Sequence, residues 1–486
     1  MKKSLLFGAL LAPLLRTTPV LAAPAKPAKA SPKKAATPAK APKKAVPAKA
    51  KPVAKAAPAI VQVVEKLSNG VNFVTRPDKI APRVAMSLVL RTGAADETTE
   101  TAGWRRLLVN AMLRGVPQGY EAPGATGVMA AEGLARVAEK TGGTLGATVG
   151  DDFIEIYVNG ASDKASALLD LALAFWKNPR LSDEDIKAAR ERTVAQIDAD
   201  DLDTAEKTQA ALRSQLFRDA RGELSAYGLP DNGTSQSIAN LTDEKLRSLY
   251  ANNLATARLT VSVSGDFDAA TLRKKLEALP ASATREPTTP TFVAPKAGSP
   301  ALVVRELPVP TAWVFVSYPL VGNTANDAAT LRVMAAALGD SRLARLPARL
   351  LKTRVMGSSP IAITIAAQFI PRRYAGELVI YAQTGPQGVE RVKNALLDEI
   401  RKLRDTPLTT AELQSAKVYA RGSWSIERQA LRDRAFQSAL SPALGGPTDA
   451  SFPSRLRQVT AADVQKAAQN YLKAYAVALV MPAGDS

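Results

Sequence analysis

The 486-residue chain contains no cysteine and no histidine. Without thiols, disulfides, thiolate metal sites and cysteine nucleophiles are excluded. Without imidazole, the chain lacks the commonest general base, the commonest metal ligand and the side chain that titrates near neutrality. A metal held by this chain would need oxygen ligands. Aromatic residues are scarce, at 5%, and residues 1–58 contain no acidic residue.

What is present begins with a secretory pattern. Lys2 and Lys3 precede an apolar stretch from Leu5 to Leu15, and Val20-Leu21-Ala22 and Leu21-Ala22-Ala23 offer small-residue cleavage sites. This predicts a signal peptide over residues 1–23 and a periplasmic or secreted protein, with the envelope as a further place of attachment. The stretch is shorter than the roughly 20 residues a membrane-spanning helix needs.

The formal net charge is +19, which would suggest a nucleic-acid partner if it were spread over a folded surface. Most of it is concentrated before residue 59. Residues 24–58 are almost entirely Ala, Pro and Lys, with Lys26, Lys29, Lys33, Lys34, Lys40, Lys43, Lys44, Lys49, Lys51 and Lys55. Proline every few residues breaks each helical turn, so this segment reads as an extended, self-repelling tether. Those lysines could hold an anionic envelope polymer or lipid headgroups. No aromatic interleaves them to stack on bases, which argues against nucleic acid.

Beyond Pro58 a pattern recurs after roughly 220 residues. Strand-like Val84–Leu90 and a helix over Trp104–Leu113 have counterparts in Trp313–Tyr318 and Ala328–Leu338. Strand Phe153–Val158 and a helix through Leu168–Trp176 match Glu377–Ala382 and Val392–Leu403. Ser182-x-x-Asp185 and Thr409-x-x-Glu412 then each have the spacing of a helix cap. Both halves close alike: Thr242 opens a helix before strand Leu259–Val263, and Thr460-x-x-Asp463 opens one before Val477–Val480. These matches predict an α+β fold of two homologous domains, residues 59–279 and 301–486, joined by a linker over 280–300. Each would be a mostly antiparallel sheet with helices packed on one face.

Leu67-Ser68-Asn69-Gly70-Val71 resembles the opening strand and turn of the pitrilysin/insulinase metallopeptidases. Thr92-Gly93-Ala94-Ala95-Asp96-Glu97 with Gly103, and Met112-Leu113-Arg114-Gly115, resemble the approach to and exit from that family's zinc helix. Pro179–Asp185, Gly265-Asp266 and Val459–Val464 with Tyr471 follow the same rhythm. In the family that helix carries H-x-x-E-H, two zinc-binding histidines four apart and a glutamate general base. Aligned from Gly103, the resemblance puts Arg106, Val109 and Asn110 at those positions. The third ligand, a glutamate on a later helix, falls near Gln196, with Glu191 the nearest carboxylate. The Asn-Ala pair of the substrate-gripping strand stands as Gly146-Ala147. Arginine cannot ligate a metal, valine cannot accept a proton, and asparagine is a feeble donor to zinc.

Arg106 has two readings: a guanidinium filling the vacated pocket and pairing with Glu191 or Asp152, or an exposed helix arginine beside Arg105. Trp104 either contacts a partner or packs at the helix start. Asp198, Asp200, Asp201 and Asp203 lack the glycine and terminal glutamate of a calcium loop and read as a solvated helix end. The glycines of Thr141–Gly146 read as a turn, not a phosphate loop.

The resemblance implies a proteolytically inactive subunit with no cofactor. Family chambers are built from four such domains, so a two-domain chain would pair with a zinc-bearing relative, or with itself, around a peptide ligand. Arg372, Arg373, Tyr374 and Tyr381 are candidates to reach across the seam with that second chain; the plainer reading makes them strand-edge and loop residues. The alternatives are an envelope scaffold that reuses the fold with its polycationic tether, and a zinc peptidase with atypical ligands.

Overall fold

The structure is a computed structural model and describes residues 62–117, 134–283, 286–296, 300–323, 326–351 and 360–483. The expected signal peptide and the ten tether lysines lie outside these residues. The described residues belong to one compact unit, Val61–Ser486.

The first half opens with strands β1 (Val63–Lys66), β2 (Asn72–Pro77) and β3 (Arg83–Leu90), then helices α1 (Trp104–Met112) and α2 (Leu134–Lys140). A hairpin follows, β4 (Gly143–Gly150) and β5 (Phe153–Ala161). Helices α3 (Ala165–Lys177), α4 (Asp183–Leu202), α5 (Thr204–Leu216), α6 (Ser235–Asn240) and α7 (Asp243–Asn253) lead to β6 (Leu259–Gly265) and α8 (Ala269–Glu277). The second half has β7 (Ala301–Leu307), β8 (Ala312–Pro319), α9 (Ala328–Ala335), α10 (Arg345–Leu350), β9 (Thr364–Ile370) and β10 (Glu377–Thr384). It ends with α11 (Val389–Asp405), α12 (Thr410–Ile426), α13 (Leu431–Ala443), α14 (Phe452–Gln458), α15 (Ala461–Tyr471) and β11 (Ala476–Pro482).

Among the described residues the strands form two sheets, ordered β1-β2-β6-β3-β5-β4 and β7-β11-β8-β10-β9. Apart from β1, the two orders are the same topology. In each, the first strand of the repeat runs parallel to the last, β2 with β6 and β7 with β11, and the other pairs are antiparallel. The helix starts also repeat. Ser182, Thr242, Thr409 and Thr460 each accept a backbone N–H three residues on, a contact that stabilises a helix by about 1 kcal/mol.

Strand alternation then decides what meets what. Met86, Leu88 and Leu90 of β3 and Ile154, Ile156 and Val158 of β5 face one core, with Leu107 and Leu108 of α1 and Leu168 of α3. Val314, Val316 and Tyr318 of β8 face the equivalent core of the second half. The opposite face of each sheet is covered as well, by a helix from the other half. Ala439 and Ala443 of α13 pack on Val89 of β3. Leu212 and Leu216 of α5 pack with Phe315, Val379 and Ala478. Helices therefore cover one face from within each half, and the two halves exchange α5 and α13 across the other.

Candidate functional site

Helix α1 enters against the loop at Asn232–Gly233. Gly103 sits at φ +85°, where a Cβ would lie 2.4 Å from the Asn232 carbonyl oxygen, so only glycine fits. Trp104 follows, fully buried, with its indole N–H donating to the Asp96 carbonyl at 3.4 Å. Trp104 is a packing residue at the helix start. Arg105 is buried too and pairs with Glu97 at 3.0 Å.

The next turns of α1 face α4. Val109 and Asn110 are buried. The Asn110 side-chain amide donates to Thr193 Oγ1 at 2.9 Å and to Gln196 Oε1 at 3.0 Å. Thr193 passes its own proton to the Ala189 carbonyl at 2.8 Å. The structure thus brings Asn110 and Gln196 into direct contact although 86 residues separate them. The result is a closed chain of neutral groups in which both amide protons of Asn110 are committed.

Arg106 points elsewhere. Its Nε donates to Asn232 Oδ1 at 2.7 Å, and Asn232 in turn donates to Asp200 at 2.5 Å. Burial pushes the guanidinium below its ordinary value and Arg105 adds to that, while Asp231 and Asp200 oppose it. Neither expected pairing of Arg106 is found. Glu191 is exposed on α4. Asp152 instead accepts the Tyr227 hydroxyl and the Arg373 backbone N–H, both at 2.7 Å. Nor is Arg106 a fully exposed arginine, since it is half-buried against the Asn232 loop. Of the aspartate cluster, Asp203 caps α5 by accepting the Ala205 and Glu206 N–H groups.

This donor set does not fit zinc. It offers two amide oxygens, one already accepting a hydrogen bond, a valine and a permanent cation. Among the described residues no group of three acidic side chains converges to hold a metal.

Gly146 and Ala147 lie on β4, the last strand of its sheet among the described residues. Gly146 pairs with Tyr157, and a Cβ there would lie 2.4 Å from the tyrosine oxygen. Its absence lets the Tyr157 ring lie across the strand beneath Arg432, 4.4 Å away.

The second-half candidates are used inside the chain. Arg372 is 2% exposed, pairs with Asp151 and, at 2.8 Å, with Glu377, and lies over the rings of Phe217 and Tyr227. Burial would raise the Asp151 carboxyl, but Arg372 and Arg213 outweigh it and hold it at about 2. The Tyr374 N–H donates to the Tyr227 hydroxyl at 3.0 Å. Tyr381 lies in the core beside Phe315 and Trp313. Arg372 is thus a loop residue, as the plainer reading had it, between β9 and β10, but a buried and paired one that is not free to reach a second chain. It joins the two halves of this one.

Sequence reasoning missed these joints. A second one repeats the first in the opposite sense. Ser87 donates to Glu155 at 2.8 Å, and Glu155 takes Arg432 of α13. Ser317, at the matching place of the second sheet, donates to Glu377 at 2.5 Å. A glutamate at the core of the otherwise apolar Phe-Ile-Glu-Ile-Tyr-Val was the available signal.

Residues 72–228 match the family model for insulinase (peptidase family M16), and residues 240–418 match that for the peptidase M16 inactive domain. An uncharacterized zinc protease of Bacillus subtilis, YmxG, is 19% identical over 86% of this chain and 97% of its own length. Subunit 1 of the mitochondrial cytochrome b-c1 complex of Saccharomyces cerevisiae is 25% identical over 42% of this chain and 41% of that protein. The crystal structure of a protease from Helicobacter pylori superposes with a TM-score of 0.74 at 15% identity, covering 87% of this chain and all of the other.

Proposed function

The chain belongs to the pitrilysin/insulinase family of metallopeptidases, and on that premise we propose that it is an exported, proteolytically inactive subunit that completes a peptide-binding chamber with a zinc-bearing relative. The observation that carries this reading is the Asn110–Gln196 contact. In the family those places belong to a zinc-binding histidine and glutamate, by the resemblance of the surrounding sequence. Here the same helix pair is closed by a neutral hydrogen bond from the Asn110 amide to the Gln196 amide oxygen at 3.0 Å, with Val109 where a general base would stand. Water activation needs a metal or a base at that point, and these residues supply neither.

Two features support a partner. The chain has two family domains where a complete chamber takes four, and one relative is by name a subunit of a larger complex. The signal-like N-terminus supports a periplasmic or secreted setting.

The test is made on the purified chain. It should hold less than one-tenth of an equivalent of zinc and should not cleave an unfolded protein substrate. Affinity capture from the native envelope at natural expression should recover a chain bearing H-x-x-E-H. One tightly held zinc per chain, with cleavage that a chelator abolishes, overturns the inactive reading. Recovery of the homodimer alone overturns the pairing.

A further inference from the structure

On the second half, away from α1, lies a cavity of about 840 Å³. Arg349 of α10 and Arg391, Arg401 and Arg404 of α11 line it, with Asp398 as the one carboxylate. Arg391, Asp398 and Arg401 recur at helical spacing, so one stripe of α11 forms a wall.

Asp398 does not neutralise this wall. It is already shared by Arg349 at 2.6 Å, by Lys402 at 3.2 Å and by Arg401. Arg349 first and Lys402 next hold its carboxyl at about 2. Lys402 also takes Glu399, as does Arg349. Four arginines and one carboxylate thus line the cavity. Arg391 is exposed and has no partner among the described residues.

The back of the cavity supplies a second, independent sign. Tyr318 is 1% exposed and lines the cavity, yet its hydroxyl has no hydrogen-bond partner among the described residues. The ring is buried but the hydroxyl opens onto the cavity, where it is a ready donor to any acceptor that enters. Burial keeps it protonated.

We infer that this cavity binds a small phosphorylated anion, with its phosphoryl oxygens held by Arg391 and Arg401 at the mouth and reached by the Tyr318 hydroxyl behind. Guanidinium forks pair oxyanions through two parallel hydrogen bonds, and a phosphoryl group has enough oxygens to satisfy more than one fork. A lone carboxylate does not.

The experiment is calorimetric titration of the full chain with pyrophosphate. The paired variant R391A/R401A is compared with R192A/R455A, which removes the same charge from exposed positions outside the cavity. Unliganded melting temperatures verify folding. The expected result is binding that R391A/R401A weakens at least tenfold and R192A/R455A leaves within twofold. Sedimentation with phosphatidylglycerol vesicles is the second arm. Attachment weakened by R391A/R401A but not by the control pair assigns the phosphate to a headgroup; its insensitivity, with pyrophosphate binding lost, assigns a free ligand. If neither probe responds to R391A/R401A, or if both pairs weaken binding equally, the site is wrong.

Discussion

Arg432, on helix α13 of the second half, reaches Glu155, in the sheet of the first half, at 2.5 Å and across 277 residues of sequence. The carboxylate is buried and the guanidinium half-enclosed between the rings of Tyr157 and Phe436. Together with Arg372–Asp151, which runs between the halves in the opposite sense, the pair fixes how the repeats meet.

Removing one partner of a buried pair leaves the other charge stranded. R432M should therefore destabilise the chain by about 3 kcal/mol. The double variant E155Q/R432M removes both charges and should recover at least half of that loss. Urea unfolding of the four proteins of the cycle measures both quantities. A double variant as unstable as R432M would mean that the arginine acts through packing on its rings.

Asp151 predicts a pH dependence. Its folded value, about 2, lies below the ordinary 3.8. The unfolded state then binds the proton more readily, so the carboxylate contributes stability above pH 3.8, lost as pH falls from 3.8 towards 2. The contribution is on the order of 2 kcal/mol. D151N should lower the urea midpoint at pH 7 and reduce the slope of stability against pH in that window. An unchanged slope would show that Arg372 is held by Glu377 alone.

The contact between α1 and α4 predicts a gain of metal binding. The variant R106H/V109E/N110H/Q196E places two imidazoles four residues apart on one helical face and a carboxylate opposite, where Gln196 already touches position 110. It should bind one zinc per chain, released by a chelator, while the natural sequence does not. Metal analysis after gel filtration decides this. A folded variant that stays metal-free would move the third ligand position off Gln196.

Much of the architecture was legible in the chain. The repeated order of strands and helices was visible because each element carries its own periodicity and each helix its own cap, as at Ser182, Thr409 and Thr460. The identical strand order of the two sheets is the spatial form of that repeat. The alignment of Arg106, Val109, Asn110 and Gln196 with the family's zinc site rests on flanking glycines and helix exits alone, and the structure adds that Asn110 and Gln196 touch. Contacts between the halves were not legible. Arg432 and Arg434 look like surface charges on α13, because nothing local marks the sheet that α13 covers. Asp152 gave no sign that Tyr227, 75 residues on, would occupy it and leave none for Arg106. Long-range polar partners are set by docking, which local pattern does not encode.

The exchange of α5 and α13 ties the schedule of folding to the full length of the chain. The sheet of the first half contains every one of its strands by Gly265, yet its second face stays bare until residues 431–443 arrive. Synthesis that stops before residue 301 would leave Val89 and Phe153 without the helix that covers them, and Glu155 with Ser87 but without Arg432. Each repeat therefore acquires the second cover of its sheet only from the other, and the last piece of the first sheet's shelter is written near the end of the chain.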